Sequence, residues 1–110
     1  MMVSAHDGLQ AESGPGAWGL ADALRASQRA EQARRLARAA QRSAANSLDN
    51  SADSHERTAN AYDDAAQRGD LRADEYREHA ARHREYAAED RSMAQRLRRM
   101  ADSDPLGFGA

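Results

Sequence analysis

ANAYDDAAQRGDLRADEYREHA, residues 59–80, places alanine and tyrosine at mirrored positions about its centre. About its Gly69-Asp70 centre, Ala66 mirrors Ala73, Tyr62 mirrors Tyr76, and Ala59 mirrors Ala80. Glycine suits the left-handed residue that closes a helix, and aspartate suits the N-cap of the next one. A connection this short makes the two helices antiparallel neighbours. The mirror continues outward, with His55 opposite His83 and Ala52 opposite Ala87.

Neither Gly nor Pro occurs between Leu20 and Arg68, a run of 49 residues rich in the strong helix formers Ala, Arg and Gln. Leu71 to Ser103 is likewise free of both, until Pro105 and Gly107 end the pattern. The expected helices span about 18–68 and 71–102, within a hairpin over 17–103. A flexible arm over 1–16 and a flexible tail over 104–110 flank it.

The alanines supply the contact pattern. Ala45, Ala52, Ala59 and Ala66 are seven apart, as are Ala73, Ala80, Ala87, Ala94 and Ala101. Between them fall Leu48, His55 and Tyr62 on the first helix, and Tyr76, His83, Asp90 and Leu97 on the second. A seven-residue repeat marks one seam of a left-handed supercoil, and small residues there let the backbones approach closely. The fold class is therefore all-α: an antiparallel helical hairpin, coiled-coil-like, with an alanine seam and a long first helix. The weak point is SAANSLDNSADS, residues 43–54, where Ser, Asn and Asp compete with helix by bonding to nearby backbone. Ala33, Ala37, Ala40 and Ala44 also run out of phase with the seam. The alternative is a three-helix bundle with a hinge near 46–50.

Composition bounds the rest. The chain has 110 residues, enough for one small domain. It contains 26 Ala and 16 Arg but no Lys, Ile or Cys, and only 18 apolar residues larger than alanine. No apolar run approaches the length of a membrane span. The first twenty residues have neither a basic start nor an apolar stretch, so no secretory signal is expected and the chain reads as cytoplasmic. Without cysteine there are no disulfides or thiol chemistry.

The formal charge of −2 hides a segregation. Residues 25–42 carry Arg25, Arg29, Arg34, Arg35, Arg38 and Arg42 against one acid, Glu31. Residues 91–99 carry Arg91, Arg96, Arg98 and Arg99 with no acid, whereas residues 49–75 around the turn are net −5. A hairpin would gather the arginines at a basic open end suited to an acidic partner. The alternative is a nucleic-acid-associated accessory protein that binds phosphates through Arg25–Arg42 and Arg91–Arg99. No aromatic side chains interleave with these arginines, which leaves base stacking unsupported.

Tyr86, Met93 and Met100 form a second line, seven apart and beside the seam. A hairpin closed by alanine does not need them, and they read as a self-association stripe or a dock for a helical protein partner. His55, His79 and His83 are weak metal candidates, because His79 and His83 share a helix face opposite His55. The plainer reading has them filling a thin seam, with no metal or cofactor. A facing His55/His83 pair would also repel if both rings were protonated. Asp90 occupies a seam position, with Arg91 or an arginine of the opposite helix or another chain as its expected partner.

The runs SHERTANAYDDAAQRGD (54–70) and EYREHAARHREYAAEDR (75–91) resemble the Ala/Arg-rich helical hairpin segments of small uncharacterised actinobacterial proteins. That resemblance covers residues 44 to 102 and implies a bacterial source and no particular activity. Tyr86-Ala-Ala-Glu-Asp90 is similar to the Tyr-x-x-x-Asp/Glu signal of type VII secretion substrates, which are small helical hairpins and would imply export. The chain departs from that family at the turn, which is Arg-Gly-Asp-Leu. Its Trp18-Gly19 lies at the N-terminal end instead. Catalysis is the least favoured class, for there is no Gly-rich phosphate loop and a two-helix layer makes no deep pocket. The reading is a small non-catalytic interaction or scaffolding module that self-associates.

Overall fold

A computed structural model describes residues 19–69 and 71–103. The described residues form two helices, α1 (Leu20–Gln67) and α2 (Ala73–Asp102), and no strand. The chain is an all-α helical hairpin. The expected arm over 1–16 and tail over 104–110, together with Trp18 and Asp70, lie outside the described residues. Two units divide the chain, Met1–Leu36 and Ala37–Ala110.

In the first unit, no side chain of α1 between Leu20 and Leu36 is buried, and Leu20, Leu24 and Leu36 are mostly exposed. Its ion pairs are local to the helix: Arg25 with Asp22, and Arg34 and Arg35 with Glu31. Such i,i+3 and i,i+4 pairs each add a few tenths of a kcal/mol, about 0.2–0.5, to a helix.

The second unit holds the hairpin. Its buried residues are Ala45, Ala52, Ala59 and Ala66 on α1 and Ala80, Ala87, Ala94 and Ala101 on α2. Eight of the nine seam alanines are therefore buried, and Ala73, beside the turn, is half-buried. No other described side chain is buried. Each buried methyl contributes on the order of 0.8 kcal/mol, so the main effect of alanine is steric: it lets the two backbones close. Leu48, His55 and Tyr62 of α1 and Tyr76, His83, Asp90 and Leu97 of α2 fill the alternate seam positions and are half-buried.

The hinge near 46–50 does not occur; α1 runs unbroken through residues 43–54. Three of the polar side chains that would compete for its backbone are engaged across the seam. Arg98 donates to Asn46 Oδ1 at 2.9 Å and pairs with Asp49 at 2.7 Å, and Arg91 pairs with Asp53 at 3.1 Å. The out-of-phase Ala33, Ala37, Ala40 and Ala44 are all exposed, so the buried frame is that of Ala45 and its successors.

The turn confirms one expectation and corrects another. Gly69 is left-handed, with φ +78°, and its N–H donates to Ala66 O at 3.2 Å. The N-cap of α2 is Arg72 instead of Asp70, and no side chain caps it. Leu71 and Arg72 extend the turn, and Tyr76 N–H then donates to Arg72 O at 2.9 Å. Asp74 and Glu75 in the first turn of α2 offset its positive end.

Candidate functional site

A two-helix hairpin has two flanks beside its seam, and here they differ in kind. On one flank, α1 carries Asp49, Glu56 and Asp63, seven apart, and α2 carries Arg84, Arg91 and Arg98, also seven apart. They pair in antiparallel order: Arg98 with Asp49 at 2.7 Å, Arg91 with Glu56 at 2.9 Å, and Arg84 with Asp63 at 2.6 Å. Each guanidinium also takes a second partner three residues earlier on α1. Arg98 donates to Asn46 at 2.9 Å, Arg91 to Asp53 at 3.1 Å, and Arg84 to Asn60 at 3.0 Å. The result is a three-rung ladder of forked arginines. Arg77 continues the line on α2 and pairs with Asp74 on its own helix at 3.1 Å.

On the other flank the lines next to the seam bear no acid and no arginine, and Arg57, Arg82, Glu89 and Arg96 lie farther out. On α1 the near line is Ala44, Ser51, Thr58 and Ala65; on α2 it is His79, Tyr86, Met93 and Met100. Ring contacts fix the side: His79 stacks on Tyr62 with centroids 4.9 Å apart, and Tyr86 meets His55 at 5.3 Å. The large members are exposed, Tyr86 by 44%, Met93 by 46% and Met100 by 53%. Met93, Leu97 and Met100, with Arg96 at the edge, line a groove of about 240 Å³. The side chains of Tyr86, Met93 and Met100 are thus open to solvent on one flank.

The three histidines lie on this flank or its seam, in a cluster of rings. His55 Nδ1 and His83 Nδ1 are 2.8 Å apart, so one ring donates and the other accepts, and both cannot be protonated at Nδ1 while the bond lasts. His83 lies edge-on to Tyr86, with centroids 5.8 Å apart. His79 joins the stack through Tyr62, but its Nδ1 accepts from Arg82 at 2.8 Å and does not converge with the other two. Among the described residues no three His, Asp or Glu side chains form a metal-ligating group. Asp90 is corrected. Neither Arg91 nor an arginine of α1 reaches it; Arg91 turns to the ladder. The Asp90 carboxylate faces the seam with a side chain only 19% exposed. Its Oδ2 has no hydrogen-bond partner and lies 3.9 Å from His55 Nε2, beyond direct bonding distance.

The arginines expected to make a basic end are partly occupied. In the hairpin, Arg42 pairs with Asp102 at 2.8 Å, while Arg91 and Arg98 belong to the ladder. Arg38 is half-buried and has an interaction of its own. Arg96 and Arg99 are exposed and make no ion pair among the described residues. On the first unit, Arg25, Arg34 and Arg35 pair locally, and Arg25 and Arg29 line a shallow groove of about 380 Å³ with Gln28, Gln32, Ala33 and Leu36. Comparison with protein-family models, curated proteins and solved structures finds no match for this chain. No described helix is long and apolar enough to cross a membrane.

The ladder escaped the sequence reading, although its signal is present there. Counting net charge by segment grouped Asp49, Glu56 and Asp63 into an acidic turn region, and Arg91 and Arg98 into a basic stretch. Sorting the same charges by heptad position shows one acidic line and one basic line, complementary in antiparallel order.

Proposed function

We propose that this protein is a small non-catalytic interaction or scaffolding module that self-associates through the flank away from the ladder. The observation that carries the reading is the contrast between flanks. One is closed by arginine–carboxylate pairs, and the other leaves Tyr86, Met93 and Met100 about half exposed in a single line. Large apolar side chains aligned on one face, with charge only at their outer border, are the composition of an interface core and its rim. Occupation of the opposite flank by the ladder leaves this one as the face available to a partner helix.

The basic component of the proposal is narrower than net charge suggests. Arg96 and Arg99 of α2 are the hairpin arginines offered to an acidic partner, since Arg42, Arg91 and Arg98 have carboxylate partners within the fold. A cytoplasmic setting belongs to the same proposal and rests on the sequence.

Light scattering during size exclusion tests it. The wild-type chain is expected at twice its monomer mass or more, and the Tyr86→Ala/Met93→Ala variant at monomer mass with its helical circular dichroism retained. A wild type that stays monomeric at every concentration reached, or a variant of unchanged mass, overturns the proposal.

A further inference from the structure

Resting on the self-association just proposed, we infer that the partner is a second copy whose α2 lies antiparallel to this one. The copies meet at Met93, with Glu89 of each opposite Arg96 of the other. Three observations on α2 carry this.

The first is spacing. Tyr86 and Met100 lie seven residues to either side of Met93, so the exposed line is symmetric about that residue. Antiparallel pairing of two such lines puts Met93 on the two-fold axis and Tyr86 against the other copy's Met100. An interface of this kind is self-complementary and closes at two chains.

The second is local charge. Glu89 and Arg96 form the next heptad line, on the outer side of the stripe, four residues before Met93 and three after it. Both are exposed, and neither makes an ion pair among the described residues. They are seven residues apart on one helix, roughly 10 Å along the axis, too far to pair with each other. In the antiparallel dimer each falls within about one residue of level with the other's counterpart, which makes two equivalent Glu–Arg pairs bordering the methionines. Asp49, Glu56 and Asp63 of α1 do not take this role, because they are held in the ladder on the far flank.

The third is the charge gradient of α2. In this register residues 84–102 of the two helices overlap; residues 84–92 are net −1 and residues 94–102 are net +2. Antiparallel copies set each acidic segment against a basic one, whereas parallel copies would set like against like. The small residues Ser51 and Thr58 on the neighbouring line of α1 leave room for the second hairpin to approach.

A charge swap tests the arrangement. Glu89→Arg and Arg96→Glu should each weaken dimerisation about tenfold or more, measured by sedimentation equilibrium, because each creates two like-charge contacts. The double variant Glu89→Arg/Arg96→Glu should return to near the wild-type constant. The chain has no cysteine, so Met93→Cys should form a disulfide-linked dimer on mild oxidation. Failure of the swap to rescue, with no Met93→Cys cross-link in a chain that still dimerises, overturns the antiparallel α2 arrangement and leaves self-association standing. A cross-link between Ser51→Cys and Met93→Cys in the double variant, with none from Met93→Cys alone, does the same by placing α2 on the partner's α1. A wild type that is monomeric overturns both.

Discussion

Ala59→Leu is the sharpest perturbation of the hairpin. Ala59 is 0% exposed and its mirror residue Ala80 is 1% exposed, so the seam has no free volume at this level. Three added carbon atoms cannot be accommodated by rotamer choice alone. The helices must separate, and separation acts on the ladder as well, whose rungs of 2.6–2.9 Å at Arg84 and Arg91 border this position. Over-packing of a closed core costs about 1–3 kcal/mol. Loss of one half-exposed rung adds at most about 1 kcal/mol. A destabilisation of about 1–4 kcal/mol is therefore expected, a drop of roughly 4 °C or more in the melting midpoint of a domain this size. Ala88→Leu is the control: Ala88 is exposed, on the same helix as Ala80, and leucine is nearly as good a helix former as alanine. Urea unfolding followed by circular dichroism at one fixed protein concentration measures both. Equal effects of the two substitutions, or a stabilised Ala59→Leu, would refute the claim that close approach at alanine holds the hairpin together.

Two further outcomes follow from the same geometry. Gly69→Ala should destabilise by about 1–2 kcal/mol through backbone strain alone, because φ is +78° while no atom lies within 4 Å of the added Cβ; an unchanged urea midpoint would show that the turn relaxes at no cost. A double-mutant cycle on Arg91 and Glu56 should give a coupling of about 0.5–1 kcal/mol that shrinks in high salt, as expected of a pair whose side chains are 39% and 43% exposed, and zero coupling at low salt would remove the ladder from the account of stability.

The features read correctly from the sequence were those written in a single residue type at a fixed interval. Nine alanines seven apart named the seam, and the mirrored His55/His83 and Tyr62/Tyr76 pairs gave its direction; their rings now stand 5.1 Å and 5.9 Å apart. The features misread were those in which one side chain had several possible partners. For Asp90 the sequence offers Arg91 or an arginine of the opposite helix or of another chain; consecutive residues on a helix point about 100° apart, so Arg91 faces the flank while Asp90 faces the seam. The Ser, Asn and Asp residues at 43–54 favour a break only while their side chains are free to bond to their own backbone. Arg98 and Arg91, 52 and 38 residues later in the chain than Asn46 and Asp53, supply competing partners, and a local reading does not reach that far. The α2 N-cap was placed by residue preference, yet the helix begins three residues after Asp70, without a side-chain cap.

The alanine seam and the placement of the large side chains are linked. A forked arginine reaches two residues on the facing helix only when the helices lie close, and alanine at every second seam position provides that closeness. Met93 or Met100 moved into the seam would add apolar burial but push the helices apart and open the 2.7 Å rung between Arg98 and Asp49. The hairpin therefore gains orientation from charge on one flank, admits Leu48, Tyr62, Tyr76 and Leu97 only at the alternate seam positions, and keeps Tyr86, Met93 and Met100 outside the seam. Those side chains are not scattered over the remaining surface, as excluded residues without a role would be. Tyr86, Met93 and Met100 share one line, on the flank away from the ladder, where a second helix can cover them without disturbing a single arginine rung. Separation of the two flanks lets one short helix, α2, close the hairpin on one side and, on the proposed reading, join it to another copy on the other.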